Sequence, residues 1–254
     1  MRAVILLTTC LALAAACQEP ESSAPAEASI AQPCRAIAHQ SADYMVCTFS
    51  AVSDDIRLFH SDAAGEPFLQ FDTLARELDE QGKSLIFAMN GGMYHDDRRP
   101  VGFYRDPYGD RASVNTNDGP GNFHMRPNGV FWLGDAVAGI SESSAYLALD
   151  AEARYATQSG PMLVLDDAIH PDFNPEGTSR KRRNGVGVSA DGRTVHFAIS
   201  DAAVTFHDFA TLFRDELNAP NALFLDGQVS RLYAPGIDRN EAGLDMGPIV
   251  GVVE

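Results

Sequence analysis

The sequence predicts an α+β fold: a single domain with a mixed or antiparallel β-sheet and a few packed helices. Three observations lead there. Short apolar or alternating runs bounded by turn residues recur along the chain, an Asp191-Gly192 pair sits between two of them, and only two segments carry helical periodicity. The runs predict strands over Tyr44–Ser50, Ile56–His60, Ser84–Met89, Gly129–Leu133, Met162–Leu165, Gly185–Ser189, Val195–Ser200 and Ala222–Leu225. Asp-Gly readily takes the positive φ angles of a tight turn, so Gly185–Ser200 is expected to be an antiparallel hairpin. Asn128-Gly129 is a weaker signal of the same kind.

One helix is expected to start at Thr205, because Asp208 three residues later completes a capping box. Phe206, Phe209, Phe213 and Leu217 then line one face through Asn218. The other helix starts at Asp72 or Thr73, turns Leu74 and Leu78 to one side, and has Gly82 placed to stop it.

The N-terminus has a different composition. Met1 and Arg2 precede the apolar stretch Ala3–Ala16, which is too short to cross a bilayer and reads as a signal peptide over residues 1–16. Ala14, Ala15 and Ala16 before Cys17 resemble a bacterial lipobox, with Leu13 one place earlier in the chain than usual, so Cys17 is expected to carry a lipid anchor. A plain secretory leader cut near Ala16 is the alternative. Gln18–Pro33 is rich in Pro, Ser, Ala and Glu, which bury too little apolar surface to offset ordering entropy. Residues 17–33 are therefore expected to form a tether, reaching about 50 Å if extended. The expected location is outside the cytoplasm, as a periplasmic or cell-surface lipoprotein.

The folded body is expected over residues 34–254, with no Pro/Gly linker to divide it. Only Cys34 and Cys47 remain in it, and an oxidising compartment predicts that they form one disulfide. A metal-ligand pair would need further Cys or His at zinc spacing, which the chain lacks; no metal and no cofactor is expected. A net charge of −16 argues against nucleic acid and against an anionic membrane surface, leaving the lipid anchor as the membrane contact.

Polar residues next to glycine concentrate at strand ends. The first strand-end cluster is Asn90-Gly91-Gly92 and the last is Asp226-Gly227, with Gly121–His124, Arg126–Gly129 and Ser159–Pro161 between them. Glycine after a strand lets a ligand approach the backbone while the preceding side chain projects from the sheet end. Arg180–Arg183 is a run of four basic residues in an acidic chain, and at least one is expected to face inward to bind an anion, since a guanidinium matches phosphate in a bidentate way.

The segments AMNGGMY (Ala88–Tyr94), RPVGFY (Arg99–Tyr104), GNFHMRPNGVF (Gly121–Phe131), QSGPMLV (Gln158–Val164), RRNGVGV (Arg182–Val188), HFAIS (His196–Ser200), VTFHDFATLFRDEL (Val204–Leu217) and ALFLDGQVSRLY (Ala222–Tyr233) together resemble the phosphodiester glycosidase family, in its bacterial branch. The resemblance runs in order from about Leu85 to the C-terminus. It implies hydrolysis of the glycosidic bond of a sugar-1-phosphodiester, similar to a GlcNAc-1-phosphodiester. By position it implies site roles for Asn90, Gly91, Ser159, Gly160, Arg183, Asp226 and Gly227. Asn184 stands where the family tends to have threonine, and Gln228 and Val229 where it has further glycines.

Such a linkage breaks through an oxocarbenium-like state that carboxylates assist. Asp226 and Asp201 are the candidate catalytic carboxylates, each ending a predicted strand, and Arg183 is the group that neutralises charge growing on phosphate. Asn128, Asn184 and His207 complete the expected substrate-binding set, with His207 either reaching the site or standing exposed. Two other readings compete. One is a carbohydrate-binding envelope lipoprotein without catalysis; the other is a serine hydrolase using Ser159, which lacks the G-x-S-x-G elbow.

Overall fold

The computed structural model describes residues 32–149, 151–227 and 229–254. The expected leader, Cys17 and residues 18–31 of the expected tether lie outside the described residues. The strands in chain order are β1 (Cys34–His39), β2 (Ala42–Ser50), β3 (Asp55–Phe59), β4 (Leu85–Asn90), β5 (Tyr104–Asp106), β6 (Gly109–Ala112), β7 (Gly129–Leu133), β8 (Ala138–Glu142), β9 (Tyr155–Ser159), β10 (Met162–Leu165), β11 (Ala168–Ile169), β12 (Asn184–Val188), β13 (Thr194–Ser200), β14 (Asn221–Asp226), β15 (Leu232–Ala234), β16 (Arg239–Asn240) and β17 (Ile249–Val253). The helices are α1 (Phe71–Glu80), α2 (Ser143–Ala148) and α3 (Phe206–Thr211). The fold is α+β, as expected, with all its sheet pairings antiparallel among the described residues.

Three sheets form. Seven strands run in the order β1-β2-β13-β12-β14-β10-β11, five in the order β16-β15-β4-β17-β3, and five in the order β6-β5-β9-β7-β8. Side chains two apart share a face, and both faces of the large sheet are covered. Cys47, Phe49, Phe197, Leu223 and Leu225 point to one core, while Tyr44, Val46, Ala198, Ala222 and Phe224 point to another. In the first core the three sheets meet at Phe197: its ring stacks on Phe87 of β4 at 5.1 Å and meets Phe131 of β7 edge-on at 6.0 Å.

The second core lies under α3. Thr205 and Asp208 form the expected capping box. Phe209 and Phe213 then press onto β12 where Gly185 and Gly187 leave room: a Cβ at Gly185 would meet Phe209 Cε1 at 3.1 Å, and one at Gly187 would meet Phe213 Cδ1 at 2.6 Å. The α-helix is shorter than its apolar pattern, for a π-helical turn over Leu212–Glu216 continues it. The third core packs Phe71, Leu74 and Leu78 of α1 against Leu85, Ala88 and Ile249. Gln70, not Asp72 or Thr73, is the N-cap of α1, and Gly82 (φ +70°) ends the segment with its N–H on the Asp79 carbonyl.

The Asp191-Gly192 hairpin joins β12 to β13 as expected, with Gly192 at φ +71°. Asn128-Gly129 instead opens β7 after a short 3-10 turn, and β7 pairs with β8. Cys34 and Cys47 are opposite each other in the β1–β2 pairing and are bonded, which locks the edge strand to its neighbour. Their sequence separation of 13 corresponds to about 3 kcal/mol on the chain-entropy model. The Cys34→Ser/Cys47→Ser double variant should therefore melt roughly 6–12 °C lower than the oxidised protein in a calorimetric scan. An unchanged Tm would show that the β1–β2 pairing holds without the covalent tie.

Candidate active site

Three strand ends converge. β4 ends at Asn90, β14 ends at Asp226 and β12 begins at Asn184, and all three residues are buried. A β-bulge shifts the β12–β14 register between Asn184 and Gly185, so that Asn184 stands opposite Asp226 while Gly185 stands opposite Phe224. The Asn90 amide Nδ2 donates to Asp226 Oδ2 at 3.2 Å, and its Oδ1 accepts from the Arg231 backbone N–H at 2.8 Å. Asn184 Nδ2 donates to the Asn90 carbonyl at 3.0 Å. Ser230 Oγ donates to the Asp226 carbonyl at 2.8 Å and lies 3.3 Å from Asn184 Oδ1. Asp226 is thus fixed from behind by residues of two sheets.

Arg183, one residue before Asn184, is only 2% exposed. Its Nε donates to the Val204 carbonyl at 3.0 Å and Nη2 to the Ser179 carbonyl at 3.2 Å. The guanidinium carbon sits 3.5 Å above the centroid of the Phe206 ring, and Phe206 in turn stacks on Phe173 (4.9 Å, 6°), which stacks on His170 (4.7 Å, 19°). Among the described residues no carboxylate forms an ion pair with Arg183. Burial lowers its pKa to about 10, so it remains a cation at neutral pH.

Arg183, Asp226 and Gly227 line a cavity of about 730 Å³. Lys181, Tyr94, His95, Asp96, Arg98, Asn122 and Asp245 also contribute to its walls. The Tyr94 hydroxyl donates to the Asp245 carbonyl at 3.0 Å, and burial, aided by the Asp226 charge, raises its pKa and keeps it protonated. Arg98 takes a left-handed φ of 69°, with its carbonyl 2.9 Å from His60 Nε2. Burial lowers the His60 pKa, so the neutral ring is the donor in that contact. Among the described residues no group of three or more His, Cys, Asp or Glu is placed to hold a metal ion.

The expected site residues divide into those that line the cavity, those that support it, and those that lie elsewhere. Asn90 and Asn184 brace Asp226 from behind. Gly91 gives its carbonyl to Thr157 Oγ1 at 2.8 Å and packs tightly on the backbone of Ile249 and Val250. Ser159 is fully buried and donates to the Leu225 carbonyl at 3.2 Å, one residue before Asp226; it is a strut outside the cavity lining, which removes the basis for a serine nucleophile. Asn128 Nδ2 donates to the Phe123 carbonyl at 2.9 Å, and Gly160 packs against the same turn, so both hold Asn122 at the cavity wall.

Asp201 and His207 are not brought to this cavity. Asp201 is exposed and its Oδ1 accepts from Arg239 Nη1 at 2.9 Å, because β13 ends on the side of the sheet where the β16 strand carries arginine. His207 is half-buried in the first turn of α3, outside the cavity lining. Of the basic run, Arg180 pairs with Asp208 and Arg182 with Glu241, while Lys181 and Arg183 line the cavity. Sequence reasoning missed Tyr94, Asp96, Arg98, Asn122 and Asp245. The polar stretch His95–Arg99 after the Asn90-Gly91-Gly92 turn is the signal for Asp96 and Arg98.

Asp226 and the buried Arg183 line one cavity at the strand ends of an antiparallel α+β frame. Residues 83–244 match the phosphodiester glycosidase family, and the chain belongs to that family. It is 34% identical over 189 residues to the uncharacterized protein YigE of Escherichia coli (strain K12), covering 74% of this chain and 73% of that one. In fold it resembles the catalytic domain of zebrafish N-acetylglucosamine-1-phosphodiester alpha-N-acetylglucosaminidase, auto-inhibited by its pro-peptide, with a TM-score of 0.55 at 13% identity over 86% of this chain and 81% of that one. A hypothetical protein from Synechocystis gives a TM-score of 0.55 at 15% identity, over 87% of this chain and 61% of that one.

The contact between Arg183 and Phe206 can be measured without any substrate. In a double-mutant cycle of Phe206→Leu with Arg183→Met, followed by denaturant unfolding, a coupling of roughly 0.5–2 kcal/mol is expected. Additive effects would mean that the ring does not hold the guanidinium.

Proposed function

We propose that this protein hydrolyses the glycosidic bond of a sugar-1-phosphodiester, similar to a GlcNAc-1-phosphodiester, in the cell envelope. The observation that carries this reading is Arg183: a cation almost withdrawn from water, held by carbonyls and an aromatic face, and lining the same cavity as Asp226. A buried cation is stabilised by an anion that reaches it, and the planar fork suits two phosphate oxygens. Lys181 and Asn122 on the same cavity wall offer further donors.

In this reaction the bond from the anomeric carbon to the phosphate oxygen breaks with its electron pair going to the phosphate. Water oxygen bonds to the anomeric carbon, and its proton passes to a carboxylate and then to solvent. The products are the free sugar and a phosphate monoester. Phosphate is already a good leaving group, so neutralising its charge with Arg183 replaces much of the work of a general acid. Asp226 is the carboxylate that stabilises the oxocarbenium-like carbon and assists the attacking water. With Asp201 turned toward Arg239, Asp96 and Asp245 are the other carboxylates of the cavity.

We infer further that the chain is exported and held at the envelope through acylated Cys17, supported by its leader-like N-terminus and the small residues before the cysteine. Its acidity argues against nucleic acid as a partner. Metabolic labelling with a fatty-acid analogue should tag the wild type and not Cys17→Ser. An unlabelled wild type would end this part of the reading.

A panel of sugar-1-phosphodiesters should release free sugar with the purified protein. Asp226→Asn can still accept the Asn90 hydrogen bond through its amide oxygen, so it should melt near the wild type while the rate falls at least ~100-fold. Arg183→Lys keeps charge but not the fork or the stacking plane, and its kcat/KM should fall markedly. Binding of the sugars without release would favour the non-catalytic alternative. An Asp226→Asn variant that melts early and still cleaves would make the aspartate structural.

A further inference from the structure

The lining of the cavity also includes an apolar set of side chains. Met93, Tyr94, Val101 and Val229 belong to it as half-buried side chains, and Leu244 completes it at 70% exposure. Met93 and Val229 are packed against two different cores on their buried sides. A single exposed leucine is ordinary, but apolar surface gathered in one concave site marks a ligand contact.

Leu244 is also held in place. Gln70 Nε2 donates to the Gly243 carbonyl at 3.2 Å and to Asp245 Oδ1 at 2.7 Å. The Tyr94 hydroxyl donates to the Asp245 carbonyl, and Met246 N–H donates to the Leu69 carbonyl at 2.9 Å. Residues 243–246 therefore form a strap fixed to the start of α1 on one side and to Tyr94 on the other. The strap presents a leucine to water beside a cavity that also contains Asp226 and Arg183.

A sugar-1-phosphodiester has three parts: the sugar, the phosphate and the alcohol esterified beyond it. The polar lining serves the first two, and a cavity of about 730 Å³ lies in the range that encloses a ligand larger than a sugar phosphate. We propose that the alcohol beyond the phosphate is apolar, an alkyl or aryl group, and that Leu244 is the specificity-determining residue that covers it. This rests on the reading of Arg183 as the phosphate holder. Each methylene the apolar lining covers should tighten binding roughly fourfold.

Calorimetric titration of the purified protein separates the two ideas. Two series are needed: inorganic phosphate with methyl, butyl and hexyl phosphate, and neutral methyl, butyl and hexyl glucosides. The expected result is affinity rising from methyl to hexyl phosphate, with the gradient flattened in Leu244→Ser while inorganic phosphate binds that variant as it binds the wild type. Flat series for both phosphates and glucosides overturn the inference, whatever inorganic phosphate does. A gradient unchanged in Leu244→Ser overturns the assignment of Leu244. Loss of all phosphate binding with a glucoside gradient that depends on Leu244 overturns the phosphate reading and keeps the apolar lining.

Discussion

The site depends on one buried amide. Asn90 ends β4 in the five-stranded sheet, yet its side chain reaches Asp226 on the seven-stranded sheet and the backbone of Arg231, and its carbonyl takes the amide of Asn184. An amide has donor and acceptor at one end of a planar group, so it can hold a carboxylate and a backbone N–H together. An apolar side chain at that position would leave the buried Arg231 backbone N–H without its acceptor, at a cost of about 1–3 kcal/mol. The strand ends that carry Asp226 and Asn184 therefore stay in register with the strand end that carries Asn90.

The rest of the architecture serves that convergence. Gly185 and Gly187 remove side chains from one face of β12, which lets Phe209 and Phe213 bring α3 down onto the sheet. Phe206, at the first position of α3, then falls under the Arg183 guanidinium. The capping box at Thr205 and Asp208 fixes where that helix starts, and hence where the ring lies. A pattern of alternate glycines in a strand thus acts on an arginine that precedes it.

What was legible in the sequence was the part carried by local chemistry. Strands β7 and β10, the Asp191-Gly192 hairpin and the Thr205 capping box follow from pattern and turn residues alone, and Asp226, Arg183 and Asn90 followed from strand-end glycines and the family resemblance. The missed strands have physical reasons. β1 joins β2 through Gln40 and Ser41, which both take positive φ without the Asn-Gly pair that would signal the turn. β9 carries Thr157, Gln158 and Ser159, polar residues that read as loop but are buried with partners: Gln158 alone accepts from Phe103 and Asn115 and donates to Asn115 and Ser143. β17 is an apolar run without alternation, since β3 and β4 pair with it on both sides and both its faces are covered. Asp201 was misplaced because a strand-end aspartate looks the same in sequence whichever edge of the fold it reaches.

Arg183 also links ligand concentration to the stability of the fold. A guanidinium taken out of water and matched only by carbonyls and a ring has lost hydration that those groups restore in part. An anion that binds the native cavity and not the unfolded chain recovers the remainder and stabilises the domain as the logarithm of its concentration over its dissociation constant. Resistance to unfolding and to proteolysis would then rise with the supply of substrate. The protein would persist longest where such an anion is abundant.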